Sequence, residues 1–272
     1  MDGNNLAALG GTNVRDVWSG TVEDTYRVFV AECGEDPQAV LVVTDANGLF
    51  GLTVDTVRLM QIPALVPSML VVGIGYPNAA TLLDTVDVRA RDLTPTTSPR
   101  FAQSGGADSF LGLLRSELWP QHAEEHPAAC KNSIYFGHSL GGLFGAYVML
   151  TQTDMFDRYI LSSPSLWWDN EYVFELERSQ ALTGQSLDTS AVIGIGSLET
   201  DAGRRAEGVN LPQGHPAKPP SGHLDMVDDA RRFSSQVSGR DGLDLHHVEA
   251  AEEFHATVPP VVLNQALRYF YR

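Results

Sequence analysis

Gly137-His138-Ser139-Leu140-Gly141 sets a serine between two glycines at the spacing G-x-S-x-G. A serine hydroxyl is a weak nucleophile. To attack a carbonyl it needs a base that takes its proton, a third group that orients the base, and donors that hold the oxyanion. The five residues follow the apolar run SIYF (Ser133–Phe136) and open the small-residue stretch GGLFGAYVML. A strand, a sharp turn and a helix in that order are what a nucleophile elbow requires. The turn leaves no room for side chains two residues either side of the serine, which suits Gly137 and Gly141. Gly142 and Gly145 let the helix pack closely. A capping serine in a glycine-rich turn is the plainer explanation of the same residues.

A base must come from eight histidines. His122, His126 and His138 precede or sit within the elbow, and His246 and His247 fall inside the last apolar run. His215 and His223 flank a proline-rich stretch. His255 follows the last strand by a short loop, at the carboxyl edge where such sites assemble, and is the candidate base. For the acid Glu199 is the first candidate and Asp201 the second, both leaving the run Ala191–Gly196, and Asp169 in SPSLWWDN is the third; a Ser–His pair without an acid is the alternative. The oxyanion needs two backbone N–H groups. Leu140, directly after the serine, offers one, and Asn47 or Gly48, after the run AVLVVT (Ala39–Thr44), offers the other by position. A metal reading fails: in His122-Ala123-Glu124-Glu125-His126 no Glu follows the first His, and Pro127 ends the helix at once. The chemistry needs no cofactor.

Positioning these residues calls for a sheet. Tyr26–Ala31 alternates, while Ala39–Thr44 and Met69–Ile74 are continuous β-branched runs, as expected of strands covered on both faces. Ser133–Phe136, Tyr159–Ser162, Ala191–Ile195 and Leu245–Val248 continue the series. Helices are expected over Asp108–Trp119, stopping at Pro120, and over Leu140–Gln152, Leu224–Val237 and Pro260–Tyr271. This β-then-α order predicts an α/β fold with a mostly parallel central sheet and helices on both faces, in one domain over 1–272. Thr94–Gly106 and 203–222 read as irregular, the second as an active-site loop.

Composition narrows the partners. With 18 Lys+Arg against 34 Asp+Glu the net charge is −16, which argues against nucleic acid and against an anionic membrane surface. No apolar run reaches the roughly 18–20 residues of a membrane span. The start MDGNNLAALGGT carries no signal pattern, and Cys33 and Cys130 have no metal or redox spacing. The expectation is a cytoplasmic protein whose partner is a small-molecule ester.

DANGLF (45–50), RARDLTP (89–95), GGADSFLGLLRSELWP (105–120), GHSLGGLFGAYVML (137–150), FDRYILSSPSLWWDN (156–170) and IGSLE (195–199) together resemble the putative-esterase family. This is the esterase D-like branch of the α/β-hydrolases, and within it the resemblance is closest to the enterobactin, or siderophore, esterases. It runs from about Tyr26 to the C-terminus. It implies the α/β-hydrolase fold and a serine esterase with Ser139 as nucleophile and His255 as base, acting on siderophore-type or aromatic esters or lactones. Arg91, in RARDLTP, then stands beside the site, where a guanidinium would hold an anionic or catecholate group. Its alternative is an ion pair with Asp92. Trp167 and Trp168 are candidates for an aromatic wall, although neighbours in sequence cannot both face the same way. An acyltransferase on the same residues and a non-catalytic binding protein are the other readings.

Overall fold

The computed structural model describes residues 9–79, 81–99, 101–207 and 225–272. Eight strands form one sheet: β1 (Thr12–Ser19), β2 (Asp24–Cys33), β3 (Ala39–Val43), β4 (Met69–Gly75), β5 (Ser133–His138), β6 (Arg158–Ser162), β7 (Thr189–Gly196) and β8 (Leu243–Ala250). Their order is β1-β2-β4-β3-β5-β6-β7-β8. β1 and β2, and β2 and β4, pair antiparallel, and every later pairing is parallel. The seven expected strands all form. β1 is an addition to them: it lies at the sheet edge and most of its side chains are exposed, which leaves little apolar pattern in its sequence.

Alternation along the strands sorts the core into two layers. Leu41, Val43, Val71, Ile134, Phe136 and Ile160 face one cluster, where α1 (Ala46–Gln61) and α9 (Pro259–Phe270) pack. Val40, Val42, Val72, Tyr135, Tyr159 and Leu161 face the other. That layer holds α3 (Ala107–Gly112), α4 (Trp119–Glu125), α5 (Leu140–Thr151), α6 (Trp168–Ala181) and α8 (Met226–Val237). The chain therefore has the α/β-hydrolase architecture, with helices on both faces of a mostly parallel sheet. Two further helices, α2 (Val86–Asp92) and α7 (Asp201–Glu207), lie in the connections. Among the described residues no helix is long and apolar enough to cross a membrane.

Two expectations need correction. The helix expected to stop at Pro120 continues: a π-helical turn over Leu113–Leu118 links α3 to α4, and Pro120 sits in the first turn of α4. Pro120 stands in the first two positions of α4, where its fixed φ suits a helical residue. The stretch 203–222 is not irregular from its start, because 203–207 belong to α7. The remainder, with His215, lies outside the described residues, as does His223. The described residues of the stretch 94–106 are irregular as expected. Side chains tie it down: Trp168 Nε1 donates to the Thr96 carbonyl (3.2 Å) and the Thr94 hydroxyl accepts from Gly105 N–H (2.9 Å).

His122 on α4 is 4% exposed beside Leu118, Trp119 and Phe156, and neither ring nitrogen has a protein hydrogen-bond partner among the described residues. Burial, with Arg15 nearby, lowers its proton affinity below the usual histidine range. The folded pKa is therefore below the unfolded one. Stability is intact above the unfolded value of about 6.5 and is lost as pH falls from there towards the folded value. Replacing His122 with Leu removes two orphaned polar atoms. It should raise unfolding free energy by about 1 kcal/mol at neutral pH and make the acid-side loss shallower. Urea titrations of both proteins between neutral and mildly acidic pH check this; an unchanged acid limb would show that His122 does not contribute to it.

Candidate active site

β5, β6, β7 and β8 are parallel neighbours, so the loops leaving their carboxyl ends lie side by side. Each contributes to one cluster: Ser139 follows β5, Ser163 and Ser165 follow β6, Glu199 follows β7 and His255 follows β8. The loops are stitched together by backbone bonds. Ser139 N–H donates to the Ser162 carbonyl (2.9 Å) and Ser165 N–H to the Ser139 carbonyl (3.0 Å). Ser197 and Leu198 N–H donate to the carbonyls of Ala250 and Glu253 at 2.8 and 3.1 Å.

Ser139 has φ 59° and ψ −116°, a conformation that strains a residue with a Cβ and is characteristic of functional turns. The turn is crowded. A Cβ on Gly137 would lie 2.2 Å from the Gly141 carbonyl oxygen, and one on Gly145 2.5 Å from the Tyr135 ring. Only hydrogen fits at either place. The Ser139 hydroxyl does not cap the helix it opens. Its Oγ lies 3.0 Å from His255 Nε2 and 3.3 Å from Ser165 Oγ.

His255 Nδ1 lies 2.6 Å from Glu199 Oε2. Glu199 is 0% exposed. Its other oxygen accepts from the Ser163 hydroxyl (2.6 Å) and from Gly196 N–H (2.9 Å). Burial opposes the carboxylate charge, but His255 and these two donors outweigh it and hold the acid below the usual carboxylate range. Of the three candidate acids, then, the structure brings Glu199 to His255. Asp169 is exposed at the start of α6, and Asp201 opens α7 beside Arg231 and Glu249. His138 is buried with Nδ1 3.2 Å from the Ser162 hydroxyl, and its ring centroid is 4.5 Å from that of His255. Burial first, then His255 and Arg89, push its proton affinity well below normal, so it stays neutral beside the cluster.

Leu140 is the first residue of α5, and its amide stands at the positive end of that helix. The region after β3 is a helix start. Asp45 takes a left-handed turn (φ 57°, ψ 36°) and α1 begins at Ala46. Gly48 N–H already donates to the Asp45 carbonyl at 3.0 Å, which removes it as an oxyanion donor. The amides of Ala46 and Asn47 fall in the first turn, where helices leave N–H groups free. The Asn47 side chain is committed elsewhere: it accepts from Tyr76 N–H and donates to the carbonyls of Tyr76 and Ala79. Asp45 also holds Arg89 through two bonds, 2.9 and 2.7 Å. Sequence reasoning misses this pair and Ser163. The run SSPS after β6 is visible, but nothing local to it announces a contact 36 residues away.

Two substrate expectations are corrected. Arg91 does not present a free guanidinium: it is bonded to Asp92 (2.6 Å), Asp24 (2.7 Å) and the Tyr26 hydroxyl (3.1 Å), which leaves little to offer an anion. Trp168 is 1% exposed and stacks on Phe101 with centroids 5.8 Å apart, so it packs the core. Trp167 is half-buried and keeps an accessible face.

Comparison with known proteins gives the chain its family. The family model described as "Putative esterase" matches residues 38–241. The ferri-bacillibactin esterase BesA of Bacillus subtilis is 28% identical, covering 97% of this chain and 91% of the relative. The siderophore triacetylfusarinine C esterase of Aspergillus fumigatus is 27% identical over 88% and 84%. The crystal structure of the BES protein from Bacillus cereus superposes with a TM-score of 0.81 at 25% identity, covering 100% of this chain and 99% of that one. The chain belongs to the putative-esterase family of α/β-hydrolases and is a carboxylic-ester hydrolase.

Proposed function

We propose that the enzyme cleaves ester bonds of a siderophore-type substrate through an acyl-enzyme on Ser139. The observation that carries the reading is the unbroken chain from Ser139 Oγ through His255 to Glu199, at 3.0 and 2.6 Å. In this mechanism His255 Nε2 takes the Ser139 proton as Oγ attacks the carbonyl carbon. Glu199 keeps the other ring proton on Nδ1, which leaves Nε2 free to accept, and stabilises the imidazolium as it forms. The oxyanion is held by the amides of Leu140 and Asn47 at the starts of α5 and α1. The imidazolium then protonates the leaving alcohol. Water, activated by the same nitrogen, attacks the acyl-enzyme and restores Ser139.

The substrate class rests on the relatives, one a ferri-bacillibactin esterase and the other a siderophore esterase by name. With Arg91 engaged by carboxylates, the reading gives recognition to apolar and aromatic contact, and Trp167 is the side chain we assign to it. The net charge of −16 acts in the same direction, since it disfavours a bare anionic ligand over a neutral ester.

Replacing Ser139 with Ala should lower p-nitrophenyl ester turnover by roughly 10⁶-fold, the scale seen when a serine nucleophile is removed, and leave the melting temperature unchanged. Retained turnover would end the assignment. A hydrolysis panel of a trilactone siderophore, aromatic esters and short p-nitrophenyl esters should give the highest kcat/KM on the trilactone. Reaction with short esters alone would remove the siderophore part of the reading and leave the esterase. Transfer of the acyl group to an added alcohol in preference to water would make the enzyme an acyltransferase.

A further inference from the structure

We propose that Ser163 is a positioning residue of this site: its hydroxyl anchors one oxygen of Glu199 so that the other stays on His255. The proposal rests on the reading of Ser139, His255 and Glu199 given above. Ser163 is 0% exposed, and its backbone has φ 42°. That is the left-handed region, where glycine sits without strain and a serine does not. Its N–H is fixed to the Gly194 carbonyl at 2.7 Å. The side chain makes one short bond, 2.6 Å, to Glu199 Oε1. A strained, buried serine whose hydroxyl meets the orienting acid is an arrangement expected where function rather than packing selects the residue.

The carboxylate geometry explains what the hydroxyl does. Glu199 Oε1 has two donors, Ser163 and Gly196 N–H, while Oε2 meets His255. The terminal torsion of a glutamate is broad and roughly two-fold, so one amide alone does not fix the carboxylate plane. Two donors on one oxygen define it. Without Ser163 the Gly196 amide is the one donor left on Oε1, so the carboxylate is held less tightly and the His255 ring on Oε2 is aimed less firmly at Ser139. Ser163 touches neither substrate nor the reacting atoms, and its effect therefore belongs to the chemical step and not to binding.

Ser163→Gly tests this cleanly, because it removes the hydroxyl and relieves the backbone together. Its melting temperature should stay close to that of the parent, because relief of the backbone offsets the lost bond to the buried carboxylate. Its kcat should fall roughly 10-fold, the scale of a hydrogen bond to a charged group expressed as a rate, with KM unchanged. Ser163→Ala should lose kcat similarly. In a Glu199→Ala background the further change Ser163→Gly should cost less than about two-fold, because the two residues act as a unit. Full kcat in Ser163→Gly beside a crippled Glu199→Ala would overturn the proposal and leave the triad standing. An undiminished 10-fold loss in the Glu199→Ala background would also overturn it, since Ser163 would then act by another route. Full activity in Glu199→Ala would overturn the triad reading and the proposal with it.

Discussion

A carboxylate with no contact with water sits at the centre of this enzyme. Glu199 is wholly buried, and an ion in such a place costs several kcal/mol of lost hydration unless its surroundings replace the water. Here they do so with three bonds: the Ser163 hydroxyl, the Gly196 amide and the His255 ring. Each comes from a different loop or strand end, so the charge is tolerated only when β6, β7 and β8 are all in place. The same bonds that make the burial bearable fix the imidazole beside Ser139.

The rest of the fold can be understood as support for that arrangement. Parallel pairing from β5 to β8 lines up four carboxyl ends, and the bonds from Ser197 and Leu198 to Ala250 and Glu253 hold the last two loops against each other. On the other side of the elbow, Asp45 uses both oxygens for Arg89 while its backbone starts α1. A Cβ added to Gly141 would come within 3.4 Å of the Asp45 carboxylate, so this buried pair lies against the elbow itself. Two helix starts, α1 and α5, are thereby held next to one another. Their free amides are the groups we assign to the oxyanion. Rigid donors of this kind need no reorganisation when charge develops.

Much of this arrangement is legible in the amino-acid sequence. Continuous β-branched runs such as AVLVVT and MLVVGI specify strands covered on both faces, and G-x-S-x-G between a strand and a small-residue helix specifies the elbow. His255 stands out by its place after the last strand. Other features are hidden for physical reasons. β1 at the edge carries charged and exposed residues that mask its alternation. Pro120 reads as a stop, yet a π-helical turn moves it into a first turn where it does no harm. Glu199 ranks ahead of Asp201 and Asp169 in the sequence by position alone, because all three sit near strand ends and only the fold decides which carboxyl reaches an imidazole. Arg91 looks available for a ligand, but its partners Asp24 and Tyr26 lie more than 60 positions away. Contacts of that span leave no local trace.

The central claim is that Ser139 is an activated nucleophile driven by His255. Incubation with a fluorophosphonate, followed by intact-mass measurement and peptide mapping, tests it directly. A single covalent adduct on Ser139 is expected, formed quickly in the parent enzyme and suppressed in a His255→Ala variant. No adduct, an adduct on another side chain, or equal labelling without His255 would contradict it.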